Sequence, residues 1–233
     1  MNPDSSTSDL RVLYEDNHCL AVVKQAGQLI AEDSTGDVTL SDIVKTYIAE
    51  KYSKPGAVYL GVVHRLDRPV SGIVLFARTS KAAARLAKQF REGTIEKSYL
   101  AWVKGSPEQE SQRLEDWLLR STNRNVTRVV DEGVDGAKHS SLTYTVKRRD
   151  AGRSLLAIEL HTGRHHQIRV QLSSRGWPIL GDVKYGGPKC GNPRALALHA
   201  ASLAFEHPTT KERVRLTAEP PRIWTEWFGV PKH

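Results

Sequence analysis

Two short apolar runs flank a charged loop, and this pattern decides what the chain builds. Leu60 to Val63 leads into His64, Arg65, Asp67 and Arg68, Pro69 and Gly72 punctuate the loop, and Ile73 to Ala77 follows. Runs of this length bounded by Pro and Gly read as strands, so the chain is organised around a sheet with a charged loop at its mouth. The loop holds one carboxylate, Asp67, between two arginines, with a histidine three residues before it. Neighbouring positive charge favours an ionised carboxylate. A carboxylate held on a loop serves as a nucleophile or base. The same residues equally suit a turn cap or an ion pair with an adjacent arginine.

The rest of the chain alternates strands with a few helices. Residues 11–16 and 18–24 read as strands around the Asp16–Asn17 turn. From Thr39 to Tyr52, Leu40, Ile43, Val44, Tyr47 and Ile48 recur at helical spacing, with Thr39 and Asp42 placed for a capping box. A second helix is expected over 81–91, capped by Ser80 and stopped at Gly93. EKSYLAWV at 96–103 reads as a strand, with Tyr99 on the face opposite Trp102. Residues 106–138 are polar and give little pattern. Arg120, Arg124 and Arg128 share one side only if this stretch is helical, and otherwise are scattered phosphate contacts. Strands at 141–148 and 154–160 form a hairpin across RRDAG, and a last pair is expected at 200–206 and 212–217. In HTGRHHQIRVQL, 161–172, Thr162–Gly163 makes a turn from which a helix runs to about Ser174. Arg164 and Arg169 near a helix start suit an anion site; they equally suit an exposed cationic helix. Trp224, Trp227 and Phe228 in the tail cover apolar surface.

Charge narrows the partner. The 233 residues carry a formal net charge of +8. Residues 1–60 hold five basic and nine acidic side chains, so their net is −4 and the remainder carries +12. Residues 120–175 hold eleven basic and five acidic side chains. A positive face or groove for a polyanion is expected. Cys19 lies in an apolar run and reads as a core residue, and neither it nor Cys190 has a spacing that suggests a metal or redox pair. No stretch approaches the ~18 apolar residues of a membrane span, and MNPDSSTSDL lacks the pattern of a signal peptide. A soluble, cytoplasmic protein in a reducing compartment is expected.

HRLDRPVSG resembles the HRLD-x-x-[TS]-SG motif of the RluA-type pseudouridine synthases, with Pro69 and Val70 departing from the commonest form. EKSYLAWV, TGRHHQIR, WPILGDVKYGG and LHAASLAFEHP resemble further motifs of that family, in the expected order. The resemblance covers about residues 11–228. It implies an α/β pseudouridine synthase fold: a long, mainly antiparallel mixed sheet with peripheral helices and a central cleft. The expected organisation is a flexible stretch 1–10, a single catalytic domain 11–228 and a tail 229–233, with too few residues ahead of it for an S4-type module. The implied reaction is isomerisation of uridine in ribosomal or transfer RNA, by a monomer, without metal or organic cofactor. By the match Asp67 is catalytic, Tyr99 packs on the target base and Arg169 pairs with Asp67. Arg65 fills the space of the flipped nucleotide, Arg164 contacts phosphate or organises the loop, and His166 and Gln167 pack and hydrogen-bond inside the site; from their charge, Arg68, Arg124 and Arg128 are expected to meet RNA. A non-catalytic RNA-binding or ribosome-assembly protein on the same fold is the rival reading, separated from the first by whether Asp67, Tyr99 and Arg169 converge.

Overall fold

A computed structural model describes residues 10–33, 35–121 and 123–231. The flexible stretch expected at the N-terminus therefore lies, for residues 1–9, outside the described residues. The chain divides into two compact units: residues 1–95 with 203–218, and residues 96–202 with 219–233.

The first unit is built on two strands buried on both faces. β1 (Val12–Glu15) pairs with β2 (Cys19–Lys24), and β2 pairs with β4 (Ser71–Ala77), all antiparallel. β3 is only Gly61–Val62, against the outer end of β4. Every residue of β2 and β4 is buried, which explains continuous apolar runs instead of an alternation. Cys19, Ala21 and Val23 join Ile73, Leu75 and Ala77 against Ala82 and Leu86 of α2 (Ser80–Glu92). Leu20, Val22, Val74 and Phe76 point the other way, onto Leu40, Val44 and Ile48 of α1 (Leu40–Lys51). Cys19 is thus the small core residue expected. The capping box of α1 forms: Thr39 accepts from the Asp42 amide and Asp42 accepts from that of Thr39. The second cap is a correction. Thr79 caps α2, its Oγ1 accepting from the Ala82 amide, and Ser80 is already helical. Gly93 closes α2 in the left-handed region, at φ 72°. The end of β10 (Leu198–Glu206) and β11 (Arg213–Thr217) complete this unit.

The second unit is an antiparallel array in the order β5 (Glu96–Lys104), β9 (Arg153–Leu160), β8 (Lys138–Asp150), β6 (Ser111–Ser121), β7 (Val126–Val130). Residues 111–130 are a hairpin, not a helix. Arg120 is near the end of β6, Arg124 lies in the turn and Arg128 is in β7, so no helical face aligns them. α3 is Gln167–Ser173, shorter than expected, because His166 at its N-cap is left-handed, with φ 53°. Arg164 and His165 therefore lie in the preceding turn. The exposed-helix alternative also fails, since residues 167–172 are all buried. Trp224 and Phe228 of α4 (Trp224–Phe228) are buried, as expected of the tail.

Candidate active site

The Asp67 loop is fastened by a lysine that sequence reasoning overlooked. Lys24 ends β2 and is fully buried. Its Nζ donates to the carbonyls of Gln25 (3.0 Å), Gln28 (2.9 Å) and Arg68 (2.9 Å). Three donors meet three acceptors, so the ammonium is fully used and the residue after Asp67 is tied to the 25–28 turn. The Arg68 carbonyl also accepts from the Gly27 amide at 2.8 Å. Burial pushes the Lys24 pKa down to about 7, while the Asp67 carboxylate acts in the opposite direction. Arg68 is equally committed: its Nε donates to the Gly27 carbonyl at 3.0 Å, and its guanidinium pairs with Asp37. Arg65 is exposed. His64 Nε2 accepts from the Leu75 amide at 2.9 Å and its ring stacks on Phe90, so His64 anchors the loop to β4. The sequence shows only a lysine closing the apolar run CLAVVK; which carbonyls accept from it is set by the folded loop.

In the second unit Tyr99 is 9% exposed on β5, and Arg169 is buried in α3. Arg169 grips Asp182 with a fork: Nε to Oδ2 at 2.7 Å and Nη2 to Oδ1 at 2.9 Å. The guanidinium also stands 5.0 Å from the Tyr185 ring centroid. Two parallel charge-assisted bonds fix the guanidinium plane and leave little freedom to its remaining edge. Asp182 is the partner of Arg169 that the sequence reading passed over within GDVKYGG. The glycines there were its signal. A Cβ on Gly181 would lie 2.6 Å from the Ala195 carbonyl, and one on Gly187 would lie 2.1 Å from that of Ile179. Only glycines let this loop close tightly enough to bring the carboxylate under Arg169.

The TGRHHQ turn is tied down by its own side chains. Gln167 Oε1 accepts from the Arg164 amide and from Thr162 Oγ1, and its Nε2 donates to the Ser141 carbonyl. Tyr185 Oη accepts from the Thr127 amide, leaving its proton for His166 Nδ1 at 2.8 Å. His165 reaches Thr127 and Asn125. Arg164 Nε donates to the His139 carbonyl, and the side chain is exposed. Arg124 and Arg128 are exposed on the hairpin.

One group of potential metal ligands occurs among the described residues: Asp16, Cys19 and His207. Its lone pairs are already committed. Asp16 accepts from the amides of His18 and Cys19, from Tyr14 and from His207 Nε2, and His207 Nδ1 accepts from the Thr210 amide. Burial raises the Cys19 thiol to about 12, which makes it a poor ligand. The group braces two turns. No helix among the described residues is long and apolar enough to cross a membrane.

The first unit holds Asp67 on its fastened loop, and the second holds the buried Tyr99 and the fork-held Arg169. Residues 18–174 match the family described as RNA pseudouridylate synthase, and the chain belongs to it. Ribosomal large subunit pseudouridine synthase D of Zymomonas mobilis subsp. mobilis is 35% identical over 223 residues, covering 91% of this chain and 70% of the relative. Ribosomal large subunit pseudouridine synthase C of Buchnera aphidicola is 32% identical, covering 89% of this chain and 66% of the relative. The chain thus spans about two thirds of the length of these relatives. Among solved structures, Human RNA Pseudouridylate Synthase Domain Containing 1 superposes with a TM-score of 0.75 at 27% identity, over 97% of this chain and 91% of that one. The α/β fold expected from the resemblance is thereby established.

Proposed function

We propose that this protein isomerises uridine to pseudouridine in ribosomal RNA, the substrate named for its bacterial relatives, and that it does so in the cytoplasm as a monomer. The observation that carries the reading is the Asp67 loop: a family motif held in place, at the residue after the carboxylate, by a buried ammonium. The reaction breaks the N1–C1′ bond, turns the base and joins C5 to C1′. The proton lost from C5 is balanced by one gained at N1, so no oxidant, reductant or group donor is required. Asp67 supplies the reacting carboxylate, Tyr99 packs on the uracil and Arg169 keeps Asp67 ionised and aligned. Residues 11–228 act as one catalytic domain. The nucleotide must leave its stack to reach these groups. Arg65 fills the vacated space, and Arg68, Arg164, His166, Gln167, Arg124 and Arg128 shape or meet the RNA.

The test is a map of pseudouridines in total RNA with and without the gene, repeated with a gene encoding Asp67→Asn. A uridine in large-subunit RNA that is modified only when the wild-type gene is present supports the reading. An unchanged map, or full restoration by D67N, overturns it.

A further inference from the structure

Lys97 is a cation that the fold holds half-buried and leaves without a partner. Among the described residues no hydrogen bond or ion pair engages its Nζ. Burial lowers its pKa from the ordinary lysine value, and no neighbouring carboxylate acts against that shift. A charge taken partly out of water with nothing opposite it is costly unless an anion arrives.

Its position says which anion. Lys97 and Tyr99 sit two residues apart on β5, so both project from one face, roughly 7 Å apart along the strand. Beside Lys97 is the Thr162–Gly163–Arg164 turn. A Cβ built on Gly163 would stand 3.6 Å from Lys97 Nζ, and Gly163 is not in the left-handed region. The Gly163 backbone therefore lies within van der Waals reach of the Lys97 ammonium. The next residue, Arg164, adds an exposed guanidinium whose Nε is held by the His139 carbonyl. A cation about 7 Å along the strand from a tyrosine matches the spacing of a phosphate and its base.

We propose that Lys97 is a substrate-binding residue whose ammonium takes the RNA backbone phosphate adjoining the nucleotide that packs on Tyr99. The assignment rests on the reading of Tyr99 given above. The unpaired state in the free protein follows from it, because the phosphate is the missing partner. Lysine suits the place: a compact charge on a flexible stem follows a phosphate as the nucleotide turns out of its stack.

The experiment uses the full chain and a short stem-loop carrying the uridine mapped above. Steady-state constants and the salt dependence of binding are measured for wild type, Lys97→Gln and Lys97→Met. Both variants are expected to fold with unchanged or higher Tm, since they remove an unpaired charge. KM should rise roughly tenfold with kcat nearly unchanged, and the salt slope should fall by about 0.7 to 0.9. A neutral methylphosphonate at the phosphate beside the target uridine should weaken wild type by the same factor and leave K97Q unaffected. Wild-type KM and slope in K97Q, or equal sensitivity of wild type and K97Q to the methylphosphonate, overturns the proposal. So does loss of folding in both variants, because that makes Lys97 structural. A Tyr99→Phe enzyme with full turnover, alongside a K97Q that shows the expected losses, overturns the role of Tyr99 and leaves the phosphate contact standing.

Discussion

At the scale of single residues, Asp67 and the Lys24 that fastens its loop make separable predictions. Asp67→Asn should abolish isomerisation while RNA affinity stays within a few-fold, as single-turnover assays and filter binding will read; full activity in D67N removes the mechanism. Lys24→Met makes a different prediction, one of stability and pH. The folded pKa is depressed to about 7 while the unfolded lysine titrates at 10.5. Between those values the unfolded chain binds more protons, so the wild-type protein gains stability as pH rises through 7 and loses it as pH falls. From pH 7 to 9 the gain is about 2 kcal/mol. The charges near Lys24 are Asp67 and Arg68, with Arg68 itself paired to Asp37. Urea denaturation of wild type and K24M across this range should show the slope in the first and not in the second. Equal slopes would mean that Lys24 does not titrate there. Most single-residue features near the loop were legible in the chain because they are local: the capping box of Thr39 and Asp42, the stop at Gly93 and the strand character of residues 73–77. Lys24 was not, since its three acceptors lie one, four and 44 residues away, and only the folded loop gathers them.

At the scale of elements, the hairpin of β6 and β7 was the hardest part to read, and the reason is physical. Leu114 and Leu118 are its deeply buried residues in β6, and a spacing of four fits a helix face and a strand face alike. Asp116 between them completes the strand alternation, but a polar residue there gave no apolar signal. It is held by Gln171 Nε2 at 2.6 Å and by Arg175, both from the α3 region. Arg120, Arg124 and Arg128 are the scattered arginines of the second alternative, since a strand, a turn and a strand carry one each. Exposed on a hairpin, Arg124 and Arg128 are expected to meet phosphate without reading sequence. Arg124→Gln with Arg128→Gln should weaken binding to related RNAs by similar factors and lower the salt slope by about 1.4 to 1.8 for two contacts. Unchanged affinity and slope would remove this hairpin from the interface. The loop holding Asp182 shows the same limit of local reading: Arg169 and its partner are 13 residues apart, across a glycine-closed turn.

At the scale of the whole molecule, the question is whether residues far apart in sequence serve one reaction. Asp67 belongs to the first compact unit, and Tyr99 and Arg169 belong to the second. Arg169 is already gripped on two nitrogens by Asp182, so its orientation is set before any substrate arrives. Lysine cannot reproduce a fork, so Arg169→Lys should fold, bind RNA and lose most turnover, and Asp182→Asn should do the same by freeing the guanidinium. Arg169→Ala should be worse, because it leaves Asp182 buried and unpaired, at a cost of about 3 to 5 kcal/mol in stability. The decisive comparison is the combination. Residues that work as a unit in one chemical step give strongly non-additive losses, whereas independent sites add within about 0.5 kcal/mol. If Arg169 aligns Asp67, then D67N has already removed what Arg169 acts on. R169K should then cost nothing further in a D67N background, whatever residual rate is measured. If Arg169 instead meets phosphate elsewhere, R169K should weaken RNA binding by the same factor in both backgrounds and leave the rate at saturating RNA unchanged. Single-turnover rate constants and dissociation constants for wild type, both single variants and the double variant separate these outcomes, and full additivity in the rate constant would dissolve the proposed pair.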